Sequence, residues 1–145
     1  MVAGSNPVKP AFLKRMLKMD VLIIAGSKSD EEIVKKAEKI LNENKILYGV
    51  EYCSFHREPE RLIKIVKDSS VKIFIAIAGL SAALPGAVAA FTDKVVIGVP
   101  VSAKLNGLDA LLSIVQMPKG VPVACVGIDN AENAAYLAIR ILNLK

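Results

Sequence analysis

Ile73-Phe74-Ile75-Ala76-Ile77 is apolar at every position and runs on into Ala78-Gly79. A strand with one wet face alternates apolar and polar side chains, so an unbroken apolar run needs cover on both faces. That is the situation of a parallel strand lying between two layers of helices. Four further segments read as strands around it: Val21 to Ala25, Tyr48 to Cys53, Val95 to Val99 and Val121 to Val126, with the central one extending over Lys72 to Ile77.

The stretches between them have helical character: Asp30 to Asn44, Pro59 to Asp68, Leu84 to Phe91, Leu108 to Val115 and Ala131 to Leu142. In the first, Ile33, Ala37, Ile40 and Leu41 make an apolar stripe, while Glu31 and Glu32 lead and Lys35, Lys36 and Lys39 follow, the order that suits the helix dipole. In the last, Ala134, Ala135, Leu137, Ala138, Ile141 and Leu142 cover more than one face. That helix is expected to bury itself against something besides its own sheet. Five strands alternating with helices through short connections predict an α/β fold, a three-layer doubly wound parallel sheet in flavodoxin-like order 2-1-3-4-5.

A chain of 145 residues, 53% apolar and 23% charged, suits one domain with a substantial core. No run approaches the roughly 18 apolar residues of a membrane span, so no membrane partner is expected. The net charge of +5 suggests nucleic acid only until it is located. Residues 1 to 18 hold Lys9, Lys14, Arg15 and Lys18 with no acid, a charge of +4, which leaves +1 for the rest. With a nearly neutral body, few aromatic residues and no Trp, no nucleic-acid partner is expected. Residues 1–19 therefore read as a basic leader, either disordered or upstream of the true start, and residues 20–145 as a single domain. Cys53 and Cys125 each end an apolar run and read as buried, reduced thiols. Two cysteines and one histidine give no familiar zinc pattern, so no metal is expected.

The chemistry-bearing residues fall in the loops that follow strands. After the first comes Gly26-Ser27-Lys28-Ser29-Asp30. A glycine allows close backbone approach, two hydroxyls can donate to phosphate oxygens, and a helix start offers free N–H groups and a positive dipole end. The same residues also suit an ordinary strand-to-helix turn, with Ser29 or Asp30 as N-cap. After the second strand comes Ser54-Phe55-His56-Arg57-Glu58-Pro59, with the only histidine of the chain. A guanidinium binds two phosphate oxygens at once, and imidazole suits proton transfer near neutrality. In an open parallel sheet both loops lie at one edge, where ligands bind. The third strand runs into Ala78 to Ala90, whose small residues let a ligand or a helix come close, and the fourth leads to Asn106-Gly107-Leu108-Asp109 and on to Gln116-Met117-Pro118. The apolar side chains between those last two segments fit either core or a subunit interface.

Together, Gly26 to Asp30, Ser54 to Pro59, Ala82-Ala83-Leu84-Pro85-Gly86 and the Asn106 to Pro118 region resemble the 5-carboxyaminoimidazole ribonucleotide mutase family, PurE, in its class I form. The resemblance runs in order over about residues 20 to 142. It implies a flavodoxin-like subunit, commonly assembled as a homo-octamer, that acts in the cytoplasm in de novo purine synthesis on a small-molecule phosphoribosyl aminoimidazole. By that resemblance Ser27 and Arg57 hold the 5′-phosphate and Asp30 accepts hydrogen bonds from ribose hydroxyls. Gly26 and Ser29 complete the first substrate loop, and Ser54 with the backbone of Gly79, Leu80 and Ser81 flanks the base. His56 is the general acid and base. The implied reaction moves a carboxylate from the exocyclic nitrogen to ring carbon 4 with no metal or organic cofactor, through a trapped carbon dioxide and a final removal of the ring proton.

Two departures stand out. Ala83 occupies the place of a family histidine that lies near the substrate carboxylate, and Phe55 and Glu58 replace a usual alanine and threonine. The alternatives are direct carboxylation of aminoimidazole ribonucleotide by carbon dioxide, the class II activity, or a catalytically weak nucleotide-binding paralogue.

Overall fold

A computed structural model describes residues 18–145. Of the expected leader, residues 1–17 lie outside the described residues. Met19 already belongs to the fold, since a Cβ on Gly49 would meet its Sδ at 2.9 Å.

The elements are β1 (Val21–Ala25), α1 (Glu31–Glu43), β2 (Tyr48–Tyr52), α2 (Pro59–Asp68), β3 (Ile73–Ala78), α3 (Leu84–Ala90), β4 (Val95–Pro100), α4 (Leu108–Val115), β5 (Ala124–Cys125) and α5 (Ala131–Leu142). All strand pairs are parallel and the order is β2-β1-β3-β4-β5. The flavodoxin-like doubly wound sheet is thus the observed architecture. Along the middle of the sheet Ile23 faces Val50 and Ile75, and Ile75 faces Ile97.

Every residue of β1 and β3 is buried, because alternate side chains feed two separate cores. Val21, Ile23, Ile73, Ile75 and Ile97 pack with Val34, Ala37 and Leu41 of α1 and with the alanine face of α5. Leu22, Ile24, Phe74, Ala76 and Val96 pack on the other side with Leu62 and Val66 of α2, Val88 of α3, and Ala110 and Ile114 of α4. The unbroken apolar run thus reflects two cores that share one strand. On α5 the small side chains of Ala131, Ala134, Ala135 and Ala138 allow close approach to α1 as well as to the sheet, which accounts for its wide apolar surface.

The structure departs from the sequence reading at three points. The fifth strand is two residues long rather than Val121 to Val126: Pro122 has no N–H to give, and the Val121 N–H is used in a turn with the Pro118 carbonyl (3.1 Å). On α1 Val34 is fully buried and Ile33 only partly, a shift of the stripe by one position. Cys53 is buried but Cys125, on the edge strand, is half-exposed. The segment around α4 divides between the two roles open to it in the sequence. Ala110 and Ile114 are core, whereas Leu105, Leu108, Leu112 and Val115 remain exposed on the outer side. A Cβ on Gly98 would lie 2.5 Å from Ile114 Cγ2, so glycine is what lets α4 sit directly on β4.

Candidate active site

The C-terminal ends of the strands are laced together by backbone hydrogen bonds. Gly26 N–H donates to the Ile77 carbonyl (3.1 Å), Cys53 N–H to Ala25 (2.9 Å) and Val101 N–H to Ala78 (3.0 Å). The loops after β1, β2, β3 and β4 consequently emerge side by side. Between them lies a cleft of about 390 Å³ lined by Gly26, Ser27, Ser29, Asp30, Ser54, Phe55, His56, Arg57, Gly79, Leu80, Ser81 and Ala103, with Ala78 and Leu84 at its base. Every residue the sequence reading named for the site lies on this cleft. Phe55, Ala78, Leu84 and Ala103 are additions. Ala103 was in principle legible, as it follows the fourth strand at the same sheet edge.

Asp30 takes the N-cap position of α1, one of the two residues the sequence offered for it, and the turn before it is built around Ser27. Its Oγ accepts from Ser29 N–H (3.2 Å) and from Ser29 Oγ (2.9 Å), capping a single 3₁₀ turn, Lys28–Asp30, that leads into α1. Asp30 then occupies the N-cap position of α1 with no side-chain capping bond, so its carboxylate is available to a ligand. Lys28 lies over the Tyr52 ring at 4.9 Å rather than on the cleft. Packing does not demand glycine at 26, since a Cβ there would meet only Ile77 O at 3.9 Å and Leu84 Cδ2 at 4.0 Å.

In the second loop Ser54 makes the turn: its Oγ accepts from Arg57 N–H (3.2 Å) and its carbonyl from Glu58 N–H (2.8 Å). His56 and Arg57 are exposed, with the His56 ring tilted against Phe55 at 5.5 Å between centroids. Glu58 does not neutralise Arg57, because Arg61 takes its carboxylate (3.4 Å) while also binding Glu51 (3.1 Å) and the Tyr52 carbonyl (2.8 Å). The Arg57 guanidinium has no carboxylate partner among the described residues. Gly79 has a purely steric reason: a Cβ there would press on Ala103 Cβ at 3.3 Å and on Val101 at 3.4 Å. Ala83 is the N-cap of α3 and lies outside the cleft lining, between Ser81 and Leu84, which are part of it.

Partial burial raises the Asp30 carboxyl above its ordinary value; the Ser27 backbone opposes this, and the charge of Asp129 adds to it. A folded state that holds this proton more tightly than the unfolded chain loses stability as pH rises from the ordinary aspartate range through the raised one. Asp30→Asn removes that loss. Its urea midpoint relative to the parent should therefore improve between about pH 3 and about pH 7. A relative midpoint that stays flat or falls over this range would mean that ionised Asp30 costs the fold nothing.

The family profile described as AIR carboxylase matches residues 20–145. The N5-carboxyaminoimidazole ribonucleotide mutase of Methanocaldococcus jannaschii is 59% identical over 125 residues, covering 86% of this chain and 80% of that protein. The mutase of the same name from Pyrococcus horikoshii is 52% identical over 127 residues, covering 85% of this chain and 72% of that one. Among solved structures, Treponema denticola PurE superposes with a TM-score of 0.76 at 34% identity, over 84% of this chain and 78% of its own. Similarity of this depth, extending through both cores and all four loops of the cleft, means that the chain belongs to the AIR carboxylase (PurE) family.

Proposed function

We propose that the chain is an N5-carboxyaminoimidazole ribonucleotide mutase of purine biosynthesis, an isomerase that moves the carboxylate from the exocyclic nitrogen to carbon 4 of the imidazole. The observation that carries this reading is the convergence on one cleft of an arginine with no carboxylate partner among the described residues, three hydroxyl-bearing loops, an aspartate and the only histidine of the sequence. In this reading Arg57 and the Ser27 hydroxyl hold the 5′-phosphate. Asp30 accepts from the ribose hydroxyls, while Ser54 and the Gly79-Leu80-Ser81 backbone flank the base. Because protein packing leaves glycine at 26 optional, close approach of the ligand is the remaining reason for it.

One acid–base group suffices for the proton balance. As the N–carboxylate bond breaks, releasing carbon dioxide, protonated His56 delivers a proton to the nitrogen. The carbon 4 to carbon dioxide bond then forms, and neutral His56 removes the ring proton, which returns it to its starting state. The rest of the cleft has to keep carbon dioxide beside carbon 4 between the two bond changes, a proximity effect in which enclosure prevents loss to solvent.

The same reading makes the protein a cytoplasmic homo-octamer. The exposed row of Leu105, Leu108, Leu112 and Val115 supports an assembly, since self-association would remove it from water. Turnover by purified protein tests the proposal. N5-carboxyaminoimidazole ribonucleotide should be converted to the carbon-carboxylated isomer without added bicarbonate, and light scattering on the same sample should give the octamer mass. Conversion only of aminoimidazole ribonucleotide with bicarbonate would assign direct carboxylation instead, and a stable monomer would remove the assembly.

A further inference from the structure

Asp129, in the loop between β5 and α5, uses every polar group it has. Its N–H donates to the Pro100 carbonyl at the end of β4 (2.8 Å), and its carbonyl accepts from Lys36 Nζ of α1 (3.1 Å). One carboxylate oxygen accepts from Ser102 N–H (2.9 Å) and the other from the Ser102 hydroxyl. The residue holds a left-handed backbone (φ 58°), a conformation that aspartate tolerates better than most side chains. These bonds join segments 27 and 93 residues away in sequence.

The segment gripped by the carboxylate is a wall of the cleft. Ser102, Ala103 and Lys104 are exposed, so little apolar burial fixes them. Ala103 nevertheless lines the cleft and, with Val101, stands within 3.4 Å of where a Cβ of Gly79 would be. The back of the segment is equally close-packed: a Cβ on Gly107 would lie 2.6 Å from Ile128 Cγ2 and 3.2 Å from Ser102 Cα. The opposite attachment, Lys36, lies on the helix that begins directly after Asp30.

We propose that Asp129 is a positioning residue for the cleft, a junction that holds the 101–104 wall against Gly79 and ties it to α1 on the Asp30 side. It touches no substrate; it fixes the distance between two walls that do. The inference rests on the ribonucleotide reading of the cleft and adds a residue outside the cleft lining to it.

The test compares Asp129→Ala, Asp129→Asn, Ser102→Ala and the double Asp129→Ala/Ser102→Ala in the full chain, with KM and kcat measured for the carboxylated ribonucleotide. Asp129→Ala should raise KM by about three- to thirtyfold with kcat within about twofold, the range expected for coupling through a packed network. Ser102→Ala keeps its N–H bond and should have a smaller effect, and the double variant should be no worse than Asp129→Ala. Asp129→Asn retains an acceptor for the Ser102 N–H and should fall between parent and Asp129→Ala, which preserves the test if the alanine variant folds poorly. A lowered Tm with KM unchanged throughout the series would leave Asp129 a structural residue and overturn the proposal. Were the parent itself inactive, the ribonucleotide reading would fail separately. Hydrogen exchange would then judge the junction: lost protection of the Ser102 amide in Asp129→Ala, largely kept in Asp129→Asn, supports it, and unchanged protection in Asp129→Ala overturns it.

Discussion

His56→Asn should lower kcat by about two to four orders of magnitude, the usual contribution of a positioned acid–base group, while ribonucleotide affinity changes little. The expectation follows from where His56 sits. It is exposed on the cleft, it carries the only imidazole in the chain, and it makes one ring contact with Phe55. Removing it disturbs no core, so stability should hold to within about 0.5 kcal/mol, and a lost rate cannot be charged to unfolding. Asparagine keeps a polar side chain of similar reach but cannot shuttle a proton. Single-turnover kinetics with isothermal titration of the substrate would separate the two effects. Robust turnover in the variant would assign the proton to another group and defeat the mechanism, whereas an inactive parent would favour a binding paralogue.

Ala83 sharpens this test. The family histidine at that place lies near the substrate carboxylate by resemblance, but here residue 83 is the N-cap of α3 and is absent from the cleft lining. In the proposed mechanism the proton balance of the carboxylate shift closes with His56 alone. On that mechanism a histidine at position 83 would bear on how the carboxylate or carbon dioxide is held, not on whether protons can be moved.

The parts of the fold that were legible in the sequence are those that a local pattern dictates. Ile73 to Ile77 could be unbroken only with helices on both faces, and the four loops could meet only because a parallel sheet sends every strand end to one edge. At the end of the sheet the deciding signal was also local, but apolar composition outweighed it. Pro122, inside the run Val121 to Val126, has no N–H for the ladder, and the Val121 N–H turns back to the Pro118 carbonyl, so β5 keeps only Ala124–Cys125. Asp30 takes the α1 N-cap that the sequence offered to it or Ser29, but the 3₁₀ turn that Ser27 caps ahead of it is too short to show a periodicity of its own. Ala103 and Asp129 depend instead on partners distant in sequence. An alanine carries no chemical signature, and the carboxylate of Asp129 acquires its meaning from Ser102, Pro100 and Lys36, which the chain brings to it only in three dimensions.

Arg57→Lys should weaken binding of the phosphorylated ligand by about 1 to 3 kcal/mol, or roughly 5- to 150-fold. The substitution keeps the charge and loses the planar fork, so the effect isolates bidentate contact from simple attraction. Two features of the loop make the large effect plausible. The backbone of Arg57 is already fixed by its N–H bond to Ser54 Oγ, so the side chain starts from a set position. Its neighbour Glu58 is committed to Arg61, leaving the guanidinium unpaired among the described residues and ready to take an anion without first giving up an internal partner. Glu58→Gln is then a useful companion, for a carboxylate already held by Arg61 should contribute little to phosphate affinity, and its removal should change binding by no more than about 0.5 kcal/mol. Calorimetry with the ribonucleotide and with the nucleoside lacking phosphate decides the assignment. Arg57→Lys must weaken the first and spare the second; equal losses for both would move the phosphate away from Arg57 and leave Ser27 and its 3₁₀ turn as the remaining anchor.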